Sequence, residues 1–151
     1  MFLHLLDGQV QKKKLLNEML ESFDDKKEIY IEPFLGSGIV LINVKNQHMY
    51  DEYFVNDVNP DVINFYKVVV NKLNKLIIEI TKITKEFNDL NSVEEKENYY
   101  YRLRDKYNLH RNEDDIRDAT MFWCLMKLCF NGVYRINKSG KYNVPFGKKI
   151  N

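Results

Sequence analysis

Two glycines and one aspartate in the first third of the sequence have the types and spacing of a nucleotide-binding site. Gly36 and Gly38 flank a single serine, and an apolar stretch follows them directly. Because glycine has no Cβ, a ligand could approach the backbone closely at these positions, next to the unpaired amides of a helix N-terminus. Asp57 lies 19 residues after Gly38, about the separation at which βαβ units place a carboxylate on ribose hydroxyls. The alternative is a plain tight turn, with Asp57 as a helix cap.

The elements that would position these residues are a strand, a helix and a second strand. β-Branched and aromatic residues over 29–34 predict a strand that ends at the glycine turn, and residues 39–44 predict an apolar helix. Residues 53–55 predict the second strand, which ends just before Asp57. Upstream, apolar residues at helical spacing over 12–23 predict an amphipathic helix that packs on the sheet.

Three helices and a hairpin are predicted in the second part of the chain. Apolar residues recur every three to four positions along the first helix, which Asn59 and Pro60 would begin. Ser92 and Glu95 form a capping-box pattern for the next helix, and an acidic run favours the start of the third. A glycine-containing turn between aromatic and β-branched residues predicts the β-hairpin. These elements span 60–87, 92–107, 113–130 and about 133–145.

Composition and charge narrow the class of protein. A chain of 151 residues with 44% apolar residues has the size of one globular domain. Its 23 Lys and Arg nearly balance its 22 Asp and Glu, so a DNA-binding surface would need local clusters of cations. Lysines at 12–14 and over 138–149 form such clusters, although a lysine run more often only solvates a face. Without a long apolar span or a signal peptide, we expect a soluble, cytoplasmic protein that does not enter a membrane.

The cysteines and histidines do not indicate a metal site. Cys124 and Cys129 are the only cysteines; on one predicted helix they cannot pair with each other, and they lack neighbouring ligands. We therefore expect buried thiols in a reducing compartment. His4, His48 and His110 are scattered along the sequence.

Three ordered motifs resemble the Dam-type, D12-class DNA adenine methyltransferases, which methylate the exocyclic amine of adenine. The motifs are EPFLGSG at 32–38, NDVNPDVINFYK at 56–67 and CFNGVYRINKSGKYNVPFGK at 129–148. The resemblance runs from about Leu15 to the end of the sequence. It implies an α/β chain with a partial Rossmann-like, S-adenosylmethionine-dependent methyltransferase fold. Residues 1–59 would form part of the cofactor-binding core, and residues 60–151 a helical target-recognition region with the hairpin.

By this resemblance, the first two motifs would bind the cofactor S-adenosylmethionine. Glu32 would receive the ammonium of the cofactor, directly or through water, and Asp57 with Val58 would contact its ribose and adenine. The glycines would admit the methionine portion near the helix N-terminus. The implied cofactor-binding residues are Glu32, Pro33, Phe34, Gly36, Ser37, Gly38, Asp57 and Val58.

The third motif would bind duplex DNA. Phe130 would act as a wedge where the target base leaves the stack, and Asn131 would contact a phosphate or the orphaned base. Arg135 would be the bidentate donor to a guanine edge. Residues placed to touch phosphates are Asn137, Lys138, Lys141 and Lys148. From the residues alone, the alternatives are a buried helix end for Phe130 and an ordinary surface strand residue for Arg135.

Two features depart from the family pattern. The D/N-P-P-Y/F tetrapeptide, which accepts hydrogen bonds from the target amine, does not occur in these 151 residues, so no catalytic residue is assigned. The segment from Asp7 to Lys12 contains one glycine where the family has a glycine-rich GG-K or GNK stretch.

The expected protein is therefore the N-terminal portion of a site-specific adenine methyltransferase of the kind found in restriction-modification systems. It would be a fragment, a decayed copy or half of a split enzyme that a companion polypeptide completes, with a palindromic target such as GATC. The alternatives are a non-catalytic DNA-binding module, whose binding would depend on salt and on Arg135, and a structural remnant of the fold.

Overall fold

The computed structural model of the chain describes residues 10–23 and 27–148, and side chains from Leu16 onward within these ranges. The described elements, in chain order, are α1 (Val10–Glu21), β1 (Lys27–Glu32), α2 (Ile39–Asn46), β2 (Tyr50–Val55), α3 (Pro60–Asn88), α4 (Val93–His110), α5 (Asp115–Leu128) and a 3-10 turn at Phe130–Gly132. The chain divides into two compact units, Met1–Ile63 and Asn64–Asn151.

In the first unit, β1 and β2 form a two-stranded parallel sheet. Parallel neighbours need a crossover connection, and α2 supplies it, as the alternation of strand and helix patterns predicts. Tyr30 pairs with Tyr53 in the register of the sheet. Aromatic rings from the segment just after α1 and from both strands pack together, with centroids 5.1–6.5 Å apart. The cluster consists of Phe23, Tyr30, Tyr50 and Tyr53.

The other face of this sheet is open to solvent. Ile29, Ile31 and Phe54 are 49–69% exposed, although β-branched and aromatic side chains usually cover a sheet face by packing. Within the described residues, no third strand joins this sheet. A mixed unit with a small parallel sheet is compatible with a methyltransferase-like α/β fold.

The second unit is helical, and local capping signals set the N-termini of α4 and α5. The predicted capping box of α4 is confirmed, because Ser92 and Glu95 each accept a hydrogen bond from the other's backbone N–H. Asp114 caps α5 by accepting from the Arg117 N–H at 2.7 Å. The long helix α3 is interrupted at Lys72, where φ is −139° and ψ is 30°.

In the second unit, two helices end two or three residues away from the predicted position. α4 continues to His110 instead of ending near 107, and α5 ends at Leu128 instead of 130. Cys129 adopts extended backbone, with φ −81° and ψ 164°, and pairs with Phe146 in an isolated antiparallel bridge. The tertiary pairing therefore stops α5 before its apolar pattern ends.

The core of the second unit lies between α4, α5 and the return arm, by which we mean residues 142–147. Alternate side chains of the arm are buried, which is the period of an extended strand. They pack against the buried faces of α4 and α5 in one cluster. Both cysteines are free and buried, and burial raises the pKa of the Cys124 thiol to about 12. The arm residues in this core are Tyr142, Val144 and Phe146.

In the part of the chain that the structure describes, no helix is long and apolar enough to cross a membrane. The same residues contain no group of three or more His, Cys, Asp or Glu side chains that could hold a metal ion.

Candidate functional site

The glycine turn and Asp57 meet at the carboxyl ends of β1 and β2. The Gly36 N–H donates to Asp57 Oδ2 at 2.7 Å, and the Leu35 N–H donates to the Asn56 carbonyl at 2.9 Å. Gly36 and Gly38 have φ values of +50° and +63°, a region that residues with a Cβ rarely adopt. The turn therefore needs these glycines, and it brings together two predicted site segments that are 21 positions apart.

Asp57 also has a structural role before α3, but it is not the helix cap that the alternative interpretation made of it. Its Oδ1 accepts from the Asn59 N–H at 2.8 Å, and Asn59 in turn caps α3 by accepting from the Asp61 N–H at 3.0 Å. A carboxylate offers about four lone-pair sites, so these backbone contacts leave acceptor capacity for ligand hydroxyls. The two roles are compatible.

Glu32 lies beside the N-terminus of α2. Its carboxylate accepts from the Tyr30 hydroxyl at 2.9 Å and from the backbone N–H of Leu41 in the first turn of the helix. Burial raises the pKa of Glu32 above its ordinary value, although both hydrogen bonds act in the opposite direction. Tyr30 was not predicted as a site residue, and only its position two residues before Glu32, on the same side of the strand, indicates the contact.

Phe34 and Val58 are the most exposed large apolar side chains of the described chain, at 82% and 92%. They follow β1 and β2 respectively, next to the glycine turn and Asp57. Pro33 and Ser37 are also exposed. Covering apolar surface of this size by a ligand would be favourable by about 25 cal/mol per Å².

Some predicted features lie outside the described residues. Asp7, Gly8 and Gln9 of the altered glycine segment are among them, as is Lys149. The side chains of Lys12, Lys13 and Lys14 are also outside the description.

The predicted hairpin is a pair of antiparallel arms that meet in isolated bridges rather than in two strands. The bridges join Cys129 to Phe146 and Ile136 to Tyr142. The first of the two arms, residues 129–136, is called the outgoing arm. Its Asn131 and Gly132 have φ values of +56° and +61°, which do not fit a regular ladder. The two predicted segments do pair antiparallel across the glycine-containing turn: the Asn137 N–H donates to the Lys141 carbonyl at 2.9 Å, and the Asn143 N–H donates to the Arg135 carbonyl at 3.2 Å.

Side chains of α4 hold the return arm in place of a neighbouring strand. The Asn108 side chain donates to the Tyr142 carbonyl at 2.9 Å and accepts from the Tyr142 N–H at 2.8 Å. The hydroxyl of the fully buried Tyr100 donates to the Val144 carbonyl at 2.8 Å. Arg111, directly after α4, donates to the carbonyl of Gly140 in the turn before the return arm, at 3.1 Å. The sequence analysis missed these residues, because nothing local indicates the partner of a helical Asn or Tyr.

Phe130 is 54% exposed, so it is not the buried end of α5. Its backbone N–H donates to the Pro145 carbonyl at 2.9 Å, which ties its position to the return arm. The adjacent Asn131 is exposed as well. The structure therefore places an aromatic ring and an amide on the surface at the start of the outgoing arm.

Arg135 is exposed, and its guanidinium is bound by Asn143 of the return arm. Nε donates to the Asn143 side-chain oxygen at 2.8 Å, and Nη2 donates to the Asn143 carbonyl at 3.2 Å. Asn137 organises the turn, because its side-chain oxygen accepts from the N–H groups of Ser139 and Lys141 at 2.9 and 3.0 Å. The exposed lysines of the segment are Lys138, Lys141 and Lys148.

A cavity of about 650 Å³ opens among α3, α4 and α5. Apolar side chains such as Ile83, Leu103 and Met121 line it together with Lys75 and Lys106. Among the described residues that line the cavity, none belongs to the predicted cofactor or DNA sites.

Comparison with known proteins relates the sequence to one family. The model of the D12 class N6 adenine-specific DNA methyltransferases matches residues 11–151. The Type II methyltransferase M.MjaIII of Methanocaldococcus jannaschii is 36% identical, over 99% of this chain and 53% of that protein. The DNA N-6-adenine-methyltransferase of Escherichia phage P1 is 39% identical, over 78% of this chain and 14% of that protein. The DNA adenine methylase of Haemophilus influenzae is 32% identical, over 90% of this chain and 44% of that protein. The chain thus spans about half of the first relative and less of the other two.

Proposed function

The chain belongs to the D12 class of N6 adenine-specific DNA methyltransferases, and from this membership we propose that it carries cofactor-binding and DNA-recognition parts of such an enzyme. The reaction is methyl transfer from S-adenosylmethionine to the exocyclic amine of adenine in duplex DNA. One observation supports this most directly: the Gly36–Asp57 hydrogen bond, at 2.7 Å, closes a glycine turn across the ends of two parallel strands.

The first unit is proposed as part of a Rossmann-like cofactor site, with β1, α2 and β2 as its first βαβ unit. Its residues fit the cofactor chemically. The carboxylate of Glu32, beside the N-terminus of α2, accepts a hydrogen bond from the ammonium group of the cofactor. Asp57 accepts hydrogen bonds from the ribose hydroxyls. Phe34 and Val58 cover the apolar surfaces of the cofactor. When bound, S-adenosylmethionine supplies the methyl group as an electrophile.

The second unit is proposed to recognise DNA. The amine of adenine is buried in the duplex, so the base must leave the stack before it can react. The exposed Phe130 is suited to fill the space that the base leaves. Arg135 donates to a guanine edge, while Asn131, Asn137 and the lysines of the arms contact phosphates.

The catalytic step needs acceptors for the amine protons, which the family supplies in its D/N-P-P-Y/F tetrapeptide. The 151 residues contain no such tetrapeptide, so we assign no catalytic residue. We propose that the transfer step uses a tetrapeptide from outside these residues, for example on a companion polypeptide.

Titration calorimetry with S-adenosylmethionine tests the cofactor site. Phe34→Ala should weaken binding roughly 10- to 150-fold, because truncating a fully covered aromatic ring loses about 1.5–3 kcal/mol of apolar burial. The unfolding temperature should not change, since Phe34 is 82% exposed in the free protein.

Ile31→Ala is the matched control, because Ile31 is also largely exposed, at 69%, and belongs to the same unit but not to the proposed site. It should bind the cofactor as the wild type does. Equal weakening by both substitutions, or a wild-type chain that folds but does not bind S-adenosylmethionine, would contradict the proposed cofactor site.

Glu32→Gln should separate binding from stability. Burial raises the pKa of Glu32 above its ordinary 4.5, so the folded protein holds this proton more tightly than the unfolded chain does. The resulting contribution to stability is present at low pH and is lost as the pH rises from 4.5 through the folded pKa. The neutral variant should therefore be at least as stable as the wild type at pH 7. It should bind S-adenosylmethionine roughly tenfold or more weakly, because it loses a charged hydrogen bond worth about 1.5–3 kcal/mol.

Thermal unfolding between pH 4.5 and neutral pH, with calorimetry at neutral pH, checks both parts. Glu28→Gln is the matched control, because Glu28 lies on the same strand and is exposed; it should change neither quantity. Undiminished cofactor binding by Glu32→Gln would exclude Glu32 as the ammonium ligand.

A further inference from the structure

The contact between Arg135 and Asn143 uses one particular edge of the guanidinium group. Nε and Nη2 form the side-on edge, and both donate to Asn143, at 2.8 and 3.2 Å. A guanidinium has five N–H donors in a planar fork. Within the described residues, Arg135 makes only these two guanidinium hydrogen bonds, so the end-on edge, which consists of one N–H of Nη1 and the second N–H of Nη2, is still available.

The end-on edge has the geometry that a guanine requires. Its two parallel N–H groups match the O6 and N7 acceptors, which lie side by side in the major groove. With the side-on edge bound to protein, the guanidinium plane cannot rotate about the side-chain bonds without breaking two hydrogen bonds. Such a restriction before binding reduces the conformational entropy that the complex must lose.

The residue that binds Arg135 is itself held firmly. Asn143 lies between Tyr142 and Val144, which are both buried at 1% exposure. The backbone of Tyr142 is bonded by Asn108, and that of Val144 by Tyr100. The Asn143 N–H also donates to the Arg135 carbonyl at 3.2 Å. The contact is thus fixed from both arms and from α4.

We propose that Asn143 is a positioning residue for base recognition: it binds the side-on edge of Arg135 and so presents the end-on edge to a guanine. The proposal rests on the proposed DNA recognition by Arg135. Asn143 would affect the base preference only through Arg135, without contacting the base itself.

The first test concerns the contact and needs no DNA. In the full chain, the ¹⁵N-labelled Arg135 Nε–H should exchange slowly with water, because it donates at 2.8 Å to Asn143. Asn143→Leu should accelerate this exchange about tenfold, since it removes one hydrogen bond, and a hydrogen bond typically contributes about 1 kcal/mol. Asn143→Asp should keep the exchange slow, because a carboxylate oxygen can replace the amide oxygen. Equal exchange in wild type and Asn143→Leu would overturn the proposal.

The second test measures base preference with a pool of randomised duplexes. The wild type should enrich one guanine position roughly 10- to 100-fold, the discrimination expected of a bidentate arginine, and Arg135→Ala should abolish this enrichment. Asn143→Leu should lower the enrichment about tenfold while non-specific affinity stays the same. Asn143→Asp should restore it, although its added negative charge weakens overall affinity in a salt-dependent way.

The outcomes distinguish the two levels of inference. If Arg135→Ala loses the guanine preference but Asn143→Leu keeps it in full, DNA recognition stands and the positioning role is wrong. If the wild type has no guanine preference, base reading by Arg135 is wrong and the role of Asn143 falls with it. The unfolding transition of each variant, followed by the fluorescence of Trp123, confirms that the compared chains are folded.

Discussion

Gly147→Ala should lower the free energy of unfolding of the second unit by about 2–3 kcal/mol, near the upper end of the usual cost of overpacking. A Cβ at this position would lie 2.7 Å from the Cys129 carbonyl oxygen and 2.9 Å from its carbon. These are backbone atoms, so no flexible side chain can move aside. The clash could be relieved only if the return arm moved away from the end of α5. That movement would break the hydrogen bond from the Gly147 N–H to the Leu128 carbonyl, which is 2.8 Å long.

Urea unfolding followed by Trp123 fluorescence measures this cost, because Trp123 is the only tryptophan of the chain and lies in the second unit. Gly140→Ala is the matched control. A Cβ there meets no atom within 4 Å, but φ is +73°, so a loss of about 1 kcal/mol is expected from backbone strain alone. A Gly147→Ala chain as stable as the control, or more stable, would show that the arms are not closely packed at this point.

Asn108→Leu should destabilise the second unit by about 2–4 kcal/mol, because it leaves two backbone groups of the arm without partners and each such loss costs about 1–3 kcal/mol. The affected groups are the N–H and C=O of Tyr142, a residue that is only 1% exposed. Leu has the same number and branching of side-chain heavy atoms as Asn and is a better helix former, so neither a cavity nor lower helix propensity explains a loss of this size.

Asn98→Leu on the same helix provides the control, since Asn98 is exposed and its replacement should change stability by no more than about 0.5 kcal/mol. Amide hydrogen exchange adds a local measurement, in which Tyr142 should lose protection in Asn108→Leu and keep it in Asn98→Leu. Retained protection of Tyr142 in Asn108→Leu would mean that the arm is held by other contacts.

Much of the fold could be predicted from the sequence, because the signals are local. The glycine turn, the capping box of Ser92 and Glu95 and the apolar periodicity of α3 each depend on residues within one or two helical turns of one another. The helix ends at His110 and Leu128 could not be predicted in the same way. The end at Leu128 depends on the bridge between Cys129 and Phe146, a long-range contact.

The two sets of candidate site residues could be predicted from the sequence through its resemblance to one family, which rests on the close glycines, the carboxylate 19 residues after Gly38 and the FNGVYR segment. Only the tertiary structure decided how these residues are held: Asp57 closes the glycine turn, Phe130 is exposed, and Asn143 binds Arg135. It also revealed Asn108, which bonds a residue 34 positions away. Side-chain to backbone contacts of this range depend on how a helix packs against an extended arm, and neither partner carries a local signal of the other.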